Sequence, residues 1–227
     1  VNHVFNDGEV LVGENIKNVI YGNILSGKDS GLYALWNKLF RKDIIDFNKL
    51  RLDEKMSFGE DMMFVMQYIN ACNKIVFSDK CLYFYEFTNE GLFSKYRESL
   101  LIDSLLCYNY LVKTIEKIFK AKQDFSLLTL KYFNYVNRFV TLAVKYDRHR
   151  KKVLKTTFKN SDVIKIFSQV VSEREKFIAL GLDEYDFIVP ALAVKGKINK
   201  AVRRAIYEKD ENCFLRKIKK LKNAVWK

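Results

Sequence analysis

The sequence predicts an α/β domain over residues 1–98, followed by an all-α helical region over residues 99–227. Short apolar runs bounded by turn residues, such as Ile75–Phe77 and Cys81–Phe87, are typical of strands in the first part. Beyond residue 99, apolar side chains recur three and four positions apart over long stretches, which indicates helices. Apolar residues make up 49% of the chain and proline occurs once, so we expect a packed globular protein with little linker.

The N-terminal segment is predicted to contain a hairpin, two helices and a short strand. Asn6-Asp7-Gly8 lies between apolar runs, and an Asp-Gly step in that setting is typical of a hairpin turn. Helices are predicted over Ile16–Leu25 and over Leu32–Phe47, whose apolar residues recur at helical spacing. Leu50–Leu52 is predicted to form a short strand that leads into a turn at Gly59.

The segment Met56–Asn70 is predicted to place an acid at the start of a buried helix. Gly59 permits a sharp turn, and a helix that is apolar almost all round follows from about Met62. Asp61 then lies at the helix start, where it has two interpretations. It caps the helix by accepting backbone amide hydrogens, or it is a reactive carboxylate fixed on a rigid element.

After the helix that follows Gly59, strands are predicted up to residue 87 and helices from residue 101 onward. Tyr83 and Tyr85 lie in the predicted strand Cys81–Phe87, where packing is the expected role of both rings. Helices are predicted over 101–119, over 128–146, from a cap at Ser161 to Leu180, before Gly196, and within 197–227.

Charge distribution and cysteine usage give no indication of a metal-binding or disulfide-linked protein. Residues 1–100 carry 12 basic and 14 acidic side chains, whereas residues 195–227 carry 12 and 3, so the basic character belongs to the tail. Four scattered cysteines, without a C-x-x-C pair and with two histidines in the whole chain, predict no metal site. They are typical of small buried side chains in a reducing cytosol, so a cytoplasmic location is expected.

Three motifs occur in order: Trp36–Arg41 (WNKLFR), Glu60-Asp61 before Phe64, and Leu82–Tyr85 (LYFY). In this order they resemble the acceptor-side half of a family 2 glycosyltransferase of the GT-A fold. The resemblance is to the bacterial kind that builds capsule, teichoic acid or other surface polysaccharide, and it covers residues 1–98. It implies that the α/β part is a partial GT-A domain, with the helical region as a variable appendage.

The resemblance implies transfer of a sugar from a nucleotide-sugar donor to a glycan or lipid-linked acceptor, with inversion at the anomeric carbon. An attacking hydroxyl must lose its proton, and the family's general base maps onto Asp61. Glu60 would orient the loop or the acceptor, while Trp36, Asn37 and Lys38 would contact substrate. The alternatives remain that Trp36 is a core residue and that Lys38 is a solvated helix charge.

The family's divalent metal, Mn or Mg, is held by an Asp-x-Asp motif that this chain lacks. Its nearest counterpart, Asp183-Glu184-Tyr185-Asp186, falls in the helical region and is expected at the surface. Without a metal clamp the charged leaving group is not stabilised. We therefore expect the chain to be a fragment of an intact enzyme, cut just after the metal-binding segment, with little turnover of its own.

The basic tail has three interpretations, one of which is attachment to an anionic membrane surface at the inner face of the cell membrane through four lysines and a tryptophan (Lys217, Lys219, Lys220, Lys222 and Trp226). Binding of nucleic acid is another, but no nucleic-acid motif accompanies this charge, so no nucleic acid is expected as partner. A solvated helical surface is the third interpretation. The rival to the enzyme is a non-catalytic helical module for membrane-surface or protein interaction, in which Asp61 is only a cap.

Overall fold

The computed structural model describes residues 5–28, 31–80, 83–84, 86 and 95–209. In these ranges it contains two strands and ten α-helices: β1 Val10–Val12, α1 Glu14–Leu25, α2 Lys42–Phe47, α3 Glu60–Ala71, β2 Lys74–Val76, α4 Ser99–Ile118, α5 Ser126–Tyr146, α6 Arg150–Thr157, α7 Ser161–Ser172, α8 Arg174–Ala179, α9 Ile188–Val194 and α10 Ile198–Lys209. A 3-10 turn, Glu184–Phe187, precedes α9.

The chain divides into two compact units. The first unit comprises Val1–Ser94 and Ile102–Leu128, and the second comprises Lys95–Leu101 and Thr129–Lys227. The functional boundary between residues 98 and 99 stays a prediction. Within the described ranges, no helix is long and apolar enough to cross a membrane.

The predicted α/β fold class is wrong. The described residues contain one antiparallel ladder, β1 with β2, of three residue pairs, and no GT-A sheet. A sheet covered by helices on both faces needs longer apolar strands joined by crossover helices. Here the outward side chains of Val10, Val12 and Val76 remain at least 44% exposed, so the ladder borders the helices instead of forming a central layer.

The partner of β1 lies far along the chain. Gly8 N donates to Phe77 O, and Phe77 N donates to Glu9 O, both at 2.9 Å, so the run after the Asp7-Gly8 turn pairs with β2. Residues 1–4, most of the first arm of the predicted hairpin, lie outside the described residues. This pairing fixes α1 beside α3, and the ends of the ladder are joined by a bond from Gly13 N to Asn73 O (3.0 Å).

The predicted helix Leu32–Phe47 is wrong over its first part, because only Lys42–Phe47 is helical. Residues 31–41 form successive turns, which begin at Gly31 with φ of +74°. The side chains of Asn37 and Lys38 bond to carbonyl oxygens of this segment, and such local side-chain bonds compete with helical hydrogen bonds. The tryptophan-bearing segment is therefore a loop, which we call the 31–41 loop.

The buried helix after Gly59 is confirmed as α3, which begins at Glu60. Its core-facing side chains include Met62, Val65, Met66 and Ile69, none of them more than 4% exposed. β2 matches the predicted strand Ile75–Phe77 to within a residue. Leu50–Leu52 is not a strand, and neither are the described members of Cys81–Phe87, which are Tyr83, Phe84 and Glu86.

In its described residues the second unit contains helices joined by short loops and turns, and no strand. Asn160 caps α7 by accepting from the backbone amides of Asp162 and Val163, one residue before the predicted cap. The predicted helix from Ser161 to Leu180 is divided at Glu173 into α7 and α8. α9 packs against α7 and α10, and α10 also contacts α6, so the end of α6 and the start of α10 are held by the same core.

Candidate functional site

The start of α3 presents two neighbouring carboxylates. Gly59 is the N-cap, in the left-handed region at φ of +79°, and no side chain caps the helix. Asp61 lies in the first turn, where its Oδ1 accepts the backbone amide of Met62 at 2.7 Å. Its Oδ2 receives no hydrogen bond from the residues that the structure describes. Asp61 is therefore not the cap residue.

Glu60 carries an oxygen atom that is shielded from water. Its Oε2 is buried and has no hydrogen-bond partner within the described ranges. Burying a polar atom without a partner costs about 1–3 kcal/mol, so such atoms in folded proteins call for an explanation. Because this oxygen is shielded from water, a donor group on a ligand can reach it only when neighbouring side chains move aside.

Asn37 and Lys38 hold the shape of the 31–41 loop. Lys38 Nζ donates to Gly31 O and Ala34 O, both at 2.8 Å, and to Asn37 Oδ1 at 2.7 Å. Asn37 Nδ2 also donates to Gly31 O, at 3.1 Å. The two predicted substrate contacts thus serve the loop, although Lys38 remains close enough to Asp61 for their charges to interact.

The stability of the protein is expected to rise with pH around Lys38. Burial lowers the pKa of Lys38 from 10.5 to about 8, against the opposing effect of Asp61. Between these values the unfolded chain holds a proton that the folded chain has released, so the free energy of unfolding increases with pH. Thermal unfolding followed between pH 8 and 10.5 should show wild type gaining stability relative to Lys38→Met. Parallel curves for the two proteins would contradict this.

Trp36 and Tyr83 form an exposed aromatic pair. Their ring centroids are 4.8 Å apart and the rings are stacked at 24°. Trp36 is 45% exposed and Tyr83 53%, so neither is a core residue and both offer ring surface to a ligand. The sequence assigned Tyr83 to packing, and no pattern in it indicated a partner in the 31–41 loop.

The 31–41 loop lies along α3 through Phe40. The Phe40 ring meets Phe64 and Tyr68 edge-on, at centroid distances of 5.5 and 4.9 Å. Arg41 N donates to Tyr68 Oη at 2.9 Å. These contacts fix the loop that carries Trp36 against the helix that carries the two acids.

Two residues of α4 contact the segment that leads into α3. Neither residue was assigned to the site from the sequence. Asp103 is buried and accepts from Ser57 N (2.9 Å) and Ser57 Oγ (3.1 Å), which anchors the approach to Gly59. Cys107 lies against Gly59, and burial, with the charges of Asp103, Asp61 and Glu60, raises the pKa of its thiol to about 12. The available signal was a single acid within the apolar run LLIDSLL.

No metal centre is formed by the described residues, which contain no group of three His, Cys, Asp or Glu side chains suited to hold an ion. The Asp-x-Asp-like run has a local structural role. Asp183 Oδ1 accepts from Tyr185 N and Asp186 N, and Asp186 Oδ2 accepts from Asp183 N, which makes a capping box. The lysines and the tryptophan of the basic tail lie outside the described residues.

The chain matches no protein-family model, no curated protein and no solved structure. The family that residues 1–98 resemble therefore stays a prediction.

Proposed function

We propose that the first unit binds and activates the acceptor in a glycosyltransferase, which transfers a sugar from a nucleotide-sugar to a glycan or lipid-linked acceptor in surface polysaccharide synthesis. One observation carries the proposal: the buried Oε2 of Glu60 lacks a hydrogen-bond donor directly beside Asp61, whose Oδ2 is also without one. Hydroxyl groups are the donors that a sugar offers in pairs. Two acceptors on consecutive residues of one helix are the groups that the proposal assigns to such a pair of hydroxyls.

In the proposed reaction Asp61 is the general base. The acceptor hydroxyl attacks the anomeric carbon of the donor, the bond to the nucleoside diphosphate breaks, and the hydroxyl proton passes to Asp61. Glu60 accepts a hydrogen bond from a second hydroxyl of the acceptor and orients it. The rings of Trp36 and Tyr83 offer the apolar face on which a pyranose can stack.

The proposal assigns no described residue to binding of the nucleotide-sugar donor. A divalent ion, Mn or Mg, would stabilise the departing diphosphate during transfer. Asn37 and Lys38 act indirectly, by holding the loop that presents Trp36.

The second candidate is a non-catalytic interaction module. It is favoured by the bond from Met62 N to Asp61 Oδ1, which is a stabilising use of an acid in the first turn of a helix. In that case the carboxylates contribute to the stability of α3 and bind no sugar.

Sugar binding separates the two candidates. Trp36→Ala is expected to weaken binding of acceptor oligosaccharides by about tenfold or more, because large aromatic side chains dominate such contacts. Saturation-transfer NMR with a panel of bacterial surface oligosaccharides measures this. Phe84→Ala is the matched control, since Phe84 is 88% exposed and next to Tyr83. Equal affinity in wild type and Trp36→Ala, or no binding by wild type, would favour the interaction module.

A further inference from the structure

A concave surface of about 480 Å³ in the second unit is lined by lysines. It lies where the end of α6 approaches the start of α10, and we call it the lysine pocket. None of the described residues that line it carries a carboxylate. The lining residues are Lys155, Lys159, Gly196, Lys197, Ile198, Asn199 and Lys200.

The charge of the lysine pocket comes from two acid-free stretches of sequence. Residues 148–161 contain six basic side chains and no acid, and residues 187–207 contain five and no acid. The contact of α6 with α10 brings these stretches together. Like charges that share a concave surface repel one another, which opposes folding. Within the described ranges, none of the four lysines forms an ion pair that would relieve this repulsion.

The backbone adds donors to the same surface. Lys197 O accepts from Ala201 N at 3.0 Å, so Lys197 stands just before the first turn of α10, a helix of 12 residues. The amides of Ile198 and Asn199 belong to that turn and have no acceptor within the helix. The positive end of the helix dipole therefore faces the surface that the lysines line.

We propose that the lysine pocket binds a phosphate-bearing anion. Ammonium groups and first-turn amides are the donors that hold phosphate oxygens in proteins, and the absence of a lining carboxylate removes the usual competitor. The phosphate belongs either to a phospholipid headgroup or to a small soluble phosphate, and the site recognises the chemistry common to both. The pocket volume lies within the range of ordinary ligand sites.

The test compares two variants of equal charge in the full chain. The pocket variant replaces four lysines with Gln (Lys155, Lys159, Lys197 and Lys200). The control replaces four exposed lysines of the first unit with Gln (Lys113, Lys117, Lys120 and Lys122). Calorimetric titration with inorganic pyrophosphate probes a soluble phosphate. Sedimentation with phosphatidylglycerol–phosphatidylcholine vesicles, against phosphatidylcholine alone, probes a headgroup.

Wild type should bind at least one probe, and the pocket variant should bind it about tenfold or more weakly, because each lysine at an anionic surface contributes separately. The control variant, which has the same net charge as the pocket variant and the same tail, should remain close to wild type. Loss confined to pyrophosphate indicates a soluble phosphate, and loss confined to vesicles indicates a headgroup. The proposal is overturned if neither probe binds or if both variants lose affinity equally.

Discussion

Under the proposed function, Asp61→Asn is expected to lower sugar transfer by about 10²–10⁴-fold, the range for loss of a general base. An amide cannot take the acceptor proton at neutral pH. The substitution should leave stability nearly unchanged, because the amide oxygen of Asn can still accept from Met62 N as Asp61 Oδ1 does. Initial rates with a nucleotide-sugar and acceptor, together with thermal unfolding, measure the two effects separately.

The chain offers a matched control for this substitution. Asp162 occupies the same place in α7 as Asp61 in α3, two positions after the N-cap, and both are half-buried. Asp162→Asn removes an equivalent charge from a helix start and should leave transfer intact. Lost stability with retained transfer in Asp61→Asn would support a purely structural acid, and thus the non-catalytic module.

Gly59→Ala is expected to destabilise the first unit by about 2–5 kcal/mol, from strain and overlap together. Gly59 has φ of +79°, which side-chain-bearing residues rarely adopt, and an added Cβ would lie 2.4 Å from Cys107 Sγ. The thiol is buried, so it can move away only by disturbing the contact between α3 and α4. Chemical denaturation measures the change in the free energy of unfolding.

Two further variants separate the causes. Gly8→Ala introduces backbone strain alone, since Gly8 has φ of +73°, close to that of Gly59, and its added Cβ meets nothing within 4 Å. It should cost less than Gly59→Ala. Adding Cys107→Ala to Gly59→Ala removes the overlapping sulfur and should recover the overlap part of the loss. If the double variant is no more stable than Gly59→Ala, the overlap is not the cause.

The helices were predictable where the pattern is local and long. α3 follows a glycine and stays apolar over three turns, and α4 and α5 repeat apolar residues over about twenty positions. The 31–41 loop was not predictable from periodicity, because the bonds of Lys38 Nζ to carbonyl oxygens outweigh a helical pattern. The partner of β1 depends on a contact more than sixty residues away.

The candidate site was likewise predictable from the sequence only in part. The place of Glu60 and Asp61 at the start of α3 follows from residues next to them in sequence. The ring pair of Trp36 with Tyr83, and the support from Asp103, depend on packing between separate segments. The lysine pocket is a further case, since its residues come from two stretches that only the contact of α6 with α10 joins.

Because Cys107 is buried, the rate at which its thiol reacts reports local opening of the protein. Its Sγ donates to Gly59 O at 3.7 Å and the thiol is buried, so an alkylating reagent can reach it only when α3 and α4 separate. Because the chain has four cysteines, alkylation is followed at Cys107 itself by peptide mapping, and its rate reports these separations in the native protein. Local opening at the acid-bearing end of α3 can thus be measured with no ligand present.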